Sequence, residues 1–304
     1  MFVRSIIASL GLLTAATGAQ ATDYAYVGQG RLLNNDFFGD GHDRWRTGGY
    51  ILSLTYGRDG RLTAGSDPFE LMEFRIRAEA IAPRGLSGTK SRDRAFVGVW
   101  SFGAHSHQSL GDFDLSYGVD LVATGPQTGI MDIHESIHDA LNAQPIDANV
   151  RENQVDNGFY PTVTAEIARE FPLGSTVVRP FSEIIYGVED IARIGADVTI
   201  GALSADVAFG RDPVTGHRFK LAESKETGMS VIFGADYAVV GQSAYFPDEF
   251  GVSATPDRLR GRAGIVWQFT PDMSAFYGLT YLSEEYEGQT EGQFVGALKL
   301  NLNF

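Results

Sequence analysis

Apolar and polar side chains alternate along most of this chain. Met72, Phe74, Ile76, Ala78 and Ala80 alternate with Glu73, Arg75, Arg77 and Glu79, the period of two that marks a β-strand. Phe113, Leu115, Tyr117, Val119 and Leu121 alternate in the same way with Asp112, Asp114, Ser116 and Asp120. At the end of the chain Phe294, Gly296, Leu298, Leu300, Leu302 and Phe304 alternate with Val295, Ala297, Lys299, Asn301 and Asn303. Charges on the inner face of a soluble sandwich would be buried at high cost. In a barrel immersed in lipid, the apolar set meets hydrocarbon and the charged set meets a polar lumen. Similar segments recur at 24–35, 47–57, 94–105, 158–171, 175–187, 195–209, 227–240, 260–269 and 272–282. The expected fold is all-β, a transmembrane antiparallel β-barrel of about twelve strands. Closure leaves no unpaired edge in lipid.

With both ends on the periplasmic side, the odd-to-even connections are extracellular, at about 36–46, 83–93, 122–158, 187–195, 241–257 and 283–292. Segment 210–226 is then a periplasmic connection longer than the usual short turn, unless the strand count is shifted. From Gln127 to Leu141 the alternation stops. Ile130, Ile133, His134, Ile137, His138 and Leu141 recur at helical spacing, which predicts a short amphipathic helix beside the barrel mouth; the alternative is a long irregular loop. Tyr56, Trp100, Tyr117, Tyr186, Tyr237, Trp267, Tyr277 and Tyr281 fall near strand ends or on outward sets, as interfacial girdles do.

The ends and the composition narrow this further. Arg4, the apolar stretch Ile6 to Ala16 and the small residues around Ala19-Gln20-Ala21 read as a signal peptide over 1–21, with the barrel over 22–304. The apolar stretch is too short for a helical span, and no later run of about 20 apolar residues follows. Cysteine is absent, so closure rests on hydrogen bonding and packing. A net charge of −14 argues against nucleic-acid binding, which needs clustered Lys and Arg. The final Phe304 is like the C-terminal aromatic by which outer-membrane barrels are recognised for insertion.

Four local motifs resemble one family, the lipid A 3′-O-deacylases, which are twelve-stranded outer-membrane barrels. Asn35-Asp36 closes the first strand as the family's Asn-Asp pair does. Asp43-Arg44-Trp45-Arg46-Thr47-Gly48-Gly49 is similar to its Asp-Arg-x-Tyr-Thr-x-Gly stretch. Asp93-Arg94-Ala95-Phe96-Val97-Gly98 is similar to its Asp-Arg-(Pro/Ala)-aromatic-x-Gly segment. Gly125-Pro126 followed by His138 resembles its Gly-Pro…His helix, and Asn153-Gln154-Val155 its following polar segment. The motifs cover the first half of the chain in order; the second half matches in barrel character. The resemblance implies hydrolysis of an acyl ester of lipopolysaccharide (lipid A) by a monomer in the outer membrane, with calcium (Ca2+) as cofactor. It carries Asn35, Asp36, Thr47 and His138 over as active-site residues. Arg46 stands where the family usually has Tyr, and His134 where Gln is common. The family's substrate-binding Lys has competing counterparts in Arg84, Lys90 and Arg92; Arg84 and Lys90 are taken as the substrate-binding candidates.

The chemistry agrees with these residue types. Ester hydrolysis needs a base for water and positive charge near the carbonyl oxygen. His138 is the expected base, and Asp36 offers a hard oxygen ligand of the kind calcium takes; the metal then polarises the carbonyl. His105 and His107 share a strand face but have no evident third ligand, which favours a structural role, and Asp112, Asp114 and Asp120 are expected to line the lumen. No Gly-x-Ser-x-Gly elbow occurs. The rival readings are a non-enzymatic barrel, either a narrow pore or a structural protein, and a phospholipase barrel.

Overall fold

The computed structural model describes residues 23–86, 93–201, 206–222, 224 and 226–302. The expected signal peptide, Lys90, Arg92 and Phe304 therefore lie outside the described residues. Twelve long strands form the wall: β1 Tyr24–Asn35, β2 Trp45–Arg58, β3 Leu71–Ala82, β4 Val97–Leu110, β5 Phe113–Thr124, β6 Gly158–Arg169, β7 Thr176–Tyr186, β8 Glu189–Gly201, β9 Gly228–Ser243, β10 Asp257–Thr270, β11 Met273–Leu282 and β12 Gln293–Leu302. Neighbours in sequence pair antiparallel, and β1 pairs with β12, with Leu33 opposite Leu298. The sheet is thereby closed. No helix among the described residues is long and apolar enough to cross a membrane; the strands cross it.

The alternation sorts onto two faces as the pattern requires. Phe74, Phe102, Val119, Leu121, Ile194 and Leu300 are exposed on the outer wall, while Glu73, Glu79, Asp120, Asp197 and Asp236 are buried inside. The inward charges are paired. Arg75 Nε donates to Glu73 at 2.8 Å, and Arg260 Nε to Asp236 at 2.9 Å. His107 lies 2.9 Å from Glu73 and His105 3.0 Å from Asp120, which makes the two histidines lumen ion-pair partners. Buried charges are tolerable only when matched in this way. Arg46 belongs to the same system: it pairs with Glu79 at 2.7 Å and with Glu285 at 2.8 Å, and it lies 3.6 Å from Glu189. The residue that departs from the family pattern thus points into the lumen.

One expected boundary moves. The eighth strand begins at Glu189 rather than near 195, because Gly187 and Val188 alone turn the chain. The long connection between β8 and β9 needs no shifted strand count, since its described residues 206–222 fold back into the barrel. A small hairpin, Phe209–Arg211 with Arg218–Lys220, packs Phe219 against Leu32, Ile51, Ile232 and Phe276. Thr55 Oγ1 donates to the Leu221 carbonyl at 2.9 Å and Thr280 Oγ1 to the Thr215 carbonyl at 3.0 Å. Its tip reaches the far end of the lumen, where Val214 packs on Leu282 and Val295 and Asn34 Nδ2 donates to Asp212 at 3.2 Å. Gly30 of β1 permits this approach, because a Cβ there would lie 2.7 Å from the Lys220 carbonyl oxygen. The lumen is therefore polar but partly filled by a hairpin plug with apolar and charged residues, Arg211 pairing there with Glu166 and Asp197. At that far end, Tyr245, Phe246, Val252 and Tyr286 from the connections pack with Trp45, Val97, Val99 and Val122 and close over the barrel mouth.

Candidate active site

The predicted helix is α1, Ile130–Leu141, preceded by a 3-10 turn at Pro126–Thr128 and followed by a second helix, α2, Ala148–Glu152, which the pattern did not announce. α1 lies on the outside of the barrel. Ile130 and Met131 pack against Phe96, Ala78, Ala80, Ala82 and Trp100 of the outer wall and its upper edge. Gly98 makes room for this contact, since a Cβ there would meet Thr128 Oγ1 at 2.4 Å and the Ile130 Cβ at 2.8 Å. Trp100, expected in an interfacial girdle, donates its indole N–H to the Thr128 carbonyl at 3.0 Å and holds the start of the helix to the wall.

From the opposite side comes the connection between β1 and β2. Asn35 caps a 3-10 turn over Asp36–Phe38 by accepting from the Phe37 N–H at 2.8 Å. Asp36 is buried and accepts from the Arg44 N–H at 2.7 Å. In β2, Arg46 pairs with Ile81 and Gly48 with Ala80, leaving Thr47 as the extra residue of a bulge. The bulge lets Arg46 turn inward while the Thr47 hydroxyl reaches the loop carboxylates.

These pieces meet at Asp43. Its carboxylate lies 2.6 Å from His138 Nε2, 3.3 Å from His134 Nε2 and 2.5 Å from Thr47 Oγ1. His138 Nδ1 faces the Gln144 carbonyl at 2.6 Å, so its N–H donates there, and the 2.6 Å contact of Nε2 with Asp43 requires a second proton between that pair. Thr47 Oγ1 also lies 3.1 Å from Asp36 Oδ1. The hydroxyl has one proton for two carboxylates. The second contact is satisfied only if Asp36 carries a proton or a cation sits among the oxygens. Burial, with Asp43 and Asp40 nearby, pushes the Asp36 carboxyl up to about 8. Burial also acts upward on Asp43, but hydrogen bonds from His134 and Thr47 outweigh it and hold that carboxyl below its usual value.

Three of the four expected catalytic positions, Asp36, Thr47 and His138, are thus linked through Asp43. Asn35 borders them at the turn, with its side chain engaged by the Phe37 N–H. Arg84 stands apart: its guanidinium meets Thr290 at 3.1 Å and Glu291 at 3.3 Å, and Glu291 in turn holds Arg44 at 2.7 Å. Asp43 and His134 were not singled out as site residues from the sequence. The signals were present, because Asp43 opens a quoted motif and His134 lies one helical turn before His138. Asp43, His134 and His138 offer ligand atoms within 4.8 Å of one another. Beside them Asp36, Asp43 and the Thr47 hydroxyl form an oxygen-rich set of two carboxyl groups and a hydroxyl, a donor chemistry that fits calcium.

A closed twelve-stranded barrel with a lipid-facing wall, a paired ionic interior and a polar site on its outside defines a bacterial outer-membrane β-barrel protein. The chain belongs to the family of outer membrane protein LpxR, whose family model matches residues 5–304. This is the lipid A deacylase family that the motifs resemble. No curated protein sequence matches the chain. Among solved structures, LpxR from Salmonella typhimurium superposes with a TM-score of 0.73 at 16% identity, over 93% of this chain and 100% of that one. That likeness concerns the fold. The translocator domain of the autotransporter NalP from Neisseria meningitidis gives 0.40 at 10% identity, covering 98% of this chain and 95% of its own. The Pseudomonas putida toluene transporter TodX gives 0.31 at 11%, covering 91% and 90%.

Proposed function

We propose that this protein hydrolyses an acyl ester of lipid A, the 3′-acyloxyacyl chain, at the Asp43–His138 site, with that site on the extracellular side of the outer membrane. The observation that carries the reading is the imidazole of His138 held between the Gln144 carbonyl and the Asp43 carboxylate, on the outer wall where a lipid substrate has access. With its Nδ1–H committed to Gln144, His138 takes the proton of an attacking water at Nε2 once that water displaces the direct Nε2–Asp43 contact. The Gln144 carbonyl on Nδ1–H has the orienting position that a carboxylate takes in other hydrolases, and the Asp43 charge beside Nε2 stabilises the imidazolium so formed. The water oxygen bonds to the ester carbonyl carbon. On collapse the C–O bond to the sugar-linked alcohol breaks, and the imidazolium returns its proton to the leaving oxygen. Fatty acid and alcohol are the products.

Asp36, Asp43 and Thr47 are the residues that would hold calcium. When bound, the ion supplies positive charge to stabilise the oxyanion. Thr47 keeps the two carboxylates in register, and Asn35 fixes the turn that presents Asp36. Arg84, on the rim connection, and Lys90 remain the substrate-binding candidates, suited to the anionic headgroup. The test is release of fatty acid from lipid A by the purified protein, with calcium and with chelator. Calcium-dependent release supports the reading, and no release in either condition overturns it.

A further inference from the structure

The helix that carries the histidines has an apolar flank that the described residues leave exposed. At about 100° per residue, Ile130, His134, His138 and Met131 share the arc turned toward the barrel and the site. Glu135, Asp139 and Asp132 share the opposite arc, where Arg151 of α2 holds Asp132 at 2.8 Å and also pairs with Glu135. Ile133, Ile137 and Leu141 occupy the flank that borders Ile130 on its other side, one turn apart along the helix, and are 49%, 51% and 73% exposed. A helix packed on one side, ion-paired on another and apolar on the third has two polarities of surroundings to satisfy.

The apolar flank is continuous with a surface of known surroundings. α1 rests on Ala78, Ala80 and Trp100 of the outer wall. Trp100 stacks on Phe102 with ring centroids 6.0 Å apart, and Phe102 is 53% exposed on the lipid face. Phe37 and Phe38, on the turn that presents Asp36, are likewise exposed on the outside, where Tyr277 of the outer wall donates its hydroxyl to the Phe38 carbonyl at 2.9 Å.

We propose that Ile133, Ile137 and Leu141 are inserted among the acyl chains of the surrounding leaflet, so that α1 is an interfacial helix anchored by bulk lipid. The insertion sets how deep α1 sits in that leaflet. It stands independently of the deacylase reading, because it concerns bilayer lipid and not substrate.

The chain contains no cysteine, so single introduced cysteines accept a fluorophore uniquely. Ile137→Cys, Leu141→Cys and Asp139→Cys, each labelled with an environment-sensitive dye, are reconstituted in phosphatidylethanolamine/phosphatidylglycerol vesicles with brominated acyl chains. Heat-modifiable mobility verifies the barrel. The expected result is several-fold stronger quenching by bromolipid at 137 and 141 than at 139, with aqueous iodide giving the reverse order. Equal iodide quenching at 137 and 139 overturns the proposal. Quenching at 137 that appears only when lipid A is added also overturns it and assigns the flank to substrate. Protection from both quenchers with cross-linking between copies overturns it in favour of a protein partner.

Discussion

Gly98→Ala isolates the packing that assembles the site. The added methyl would sit 2.4 Å from Thr128 Oγ1 and 2.8 Å from the Ile130 Cβ. The threonine hydroxyl can rotate away, but the Ile130 Cβ moves only with its backbone, which is the first turn of α1. Overpacking of this kind costs about 1–3 kcal/mol, which at about 1.4 kcal/mol per tenfold lowers the docked-to-undocked ratio of the helix roughly 5- to 150-fold. His134 and His138 move with the helix, so their contacts to Asp43 weaken while the barrel, closed by its own ladder, stays folded. Amide exchange over 130–141 should accelerate by a comparable factor, and ester hydrolysis should fall. Gly261→Ala is the control, since no atom lies within 4 Å of a Cβ at that position. Unchanged exchange in α1 together with unchanged activity for Gly98→Ala would refute the claim that close approach to β4 positions the histidines.

Three further outcomes follow from the same geometry. Val119, 56% exposed at mid-strand opposite Ala104 and Val163, should cost about 2–4 kcal/mol as Val119→Arg, whereas Leu300→Arg, close to the turn between β10 and β11, should cost about 0–1; urea unfolding from vesicles distinguishes them. Arg46→Met leaves Glu79 to Arg77 and Glu285 to Arg94 and Arg258, so it should destabilise in the same assay by less than the about 3–5 kcal/mol of an uncompensated buried charge. Because the folded carboxyl of Asp36 is raised from 3.8 to about 8, its contribution favours the fold at low pH and is lost as pH rises between those values. Without divalent cation, exchange over 36–47 should therefore increase across that window, calcium should suppress the increase, and Asp36→Asn should abolish the pH dependence; a persistent dependence in that variant would assign it to another group.

The wall was legible because the strands are apolar toward lipid and many of them carry charges toward the lumen, and a period of two exposes both at once. α1 was legible because Ile130, His134, His138 and Leu141 break that period. The bulge at Thr47 was not, since one extra residue in a ladder leaves no mark in composition, yet it decides that Arg46 points inward and Thr47 toward the site. The plug was equally hidden. Val214, His217 and Phe219 read as part of an over-long turn, because nothing local states that a connection folds back into the barrel it belongs to. Asp43 stood only as the first residue of a motif until the fold brought a helix from about ninety positions later against it.

The measurement that bears most directly on the account is the mass of lipid A after incubation with purified wild-type protein and with His138→Asn, both in calcium. The account predicts loss of an acyloxyacyl unit with wild type and unchanged mass with the variant, whose heat-modifiable mobility shows the barrel intact. Removal of the same acyl unit by His138→Asn at the wild-type rate would contradict the assignment of His138 as the base.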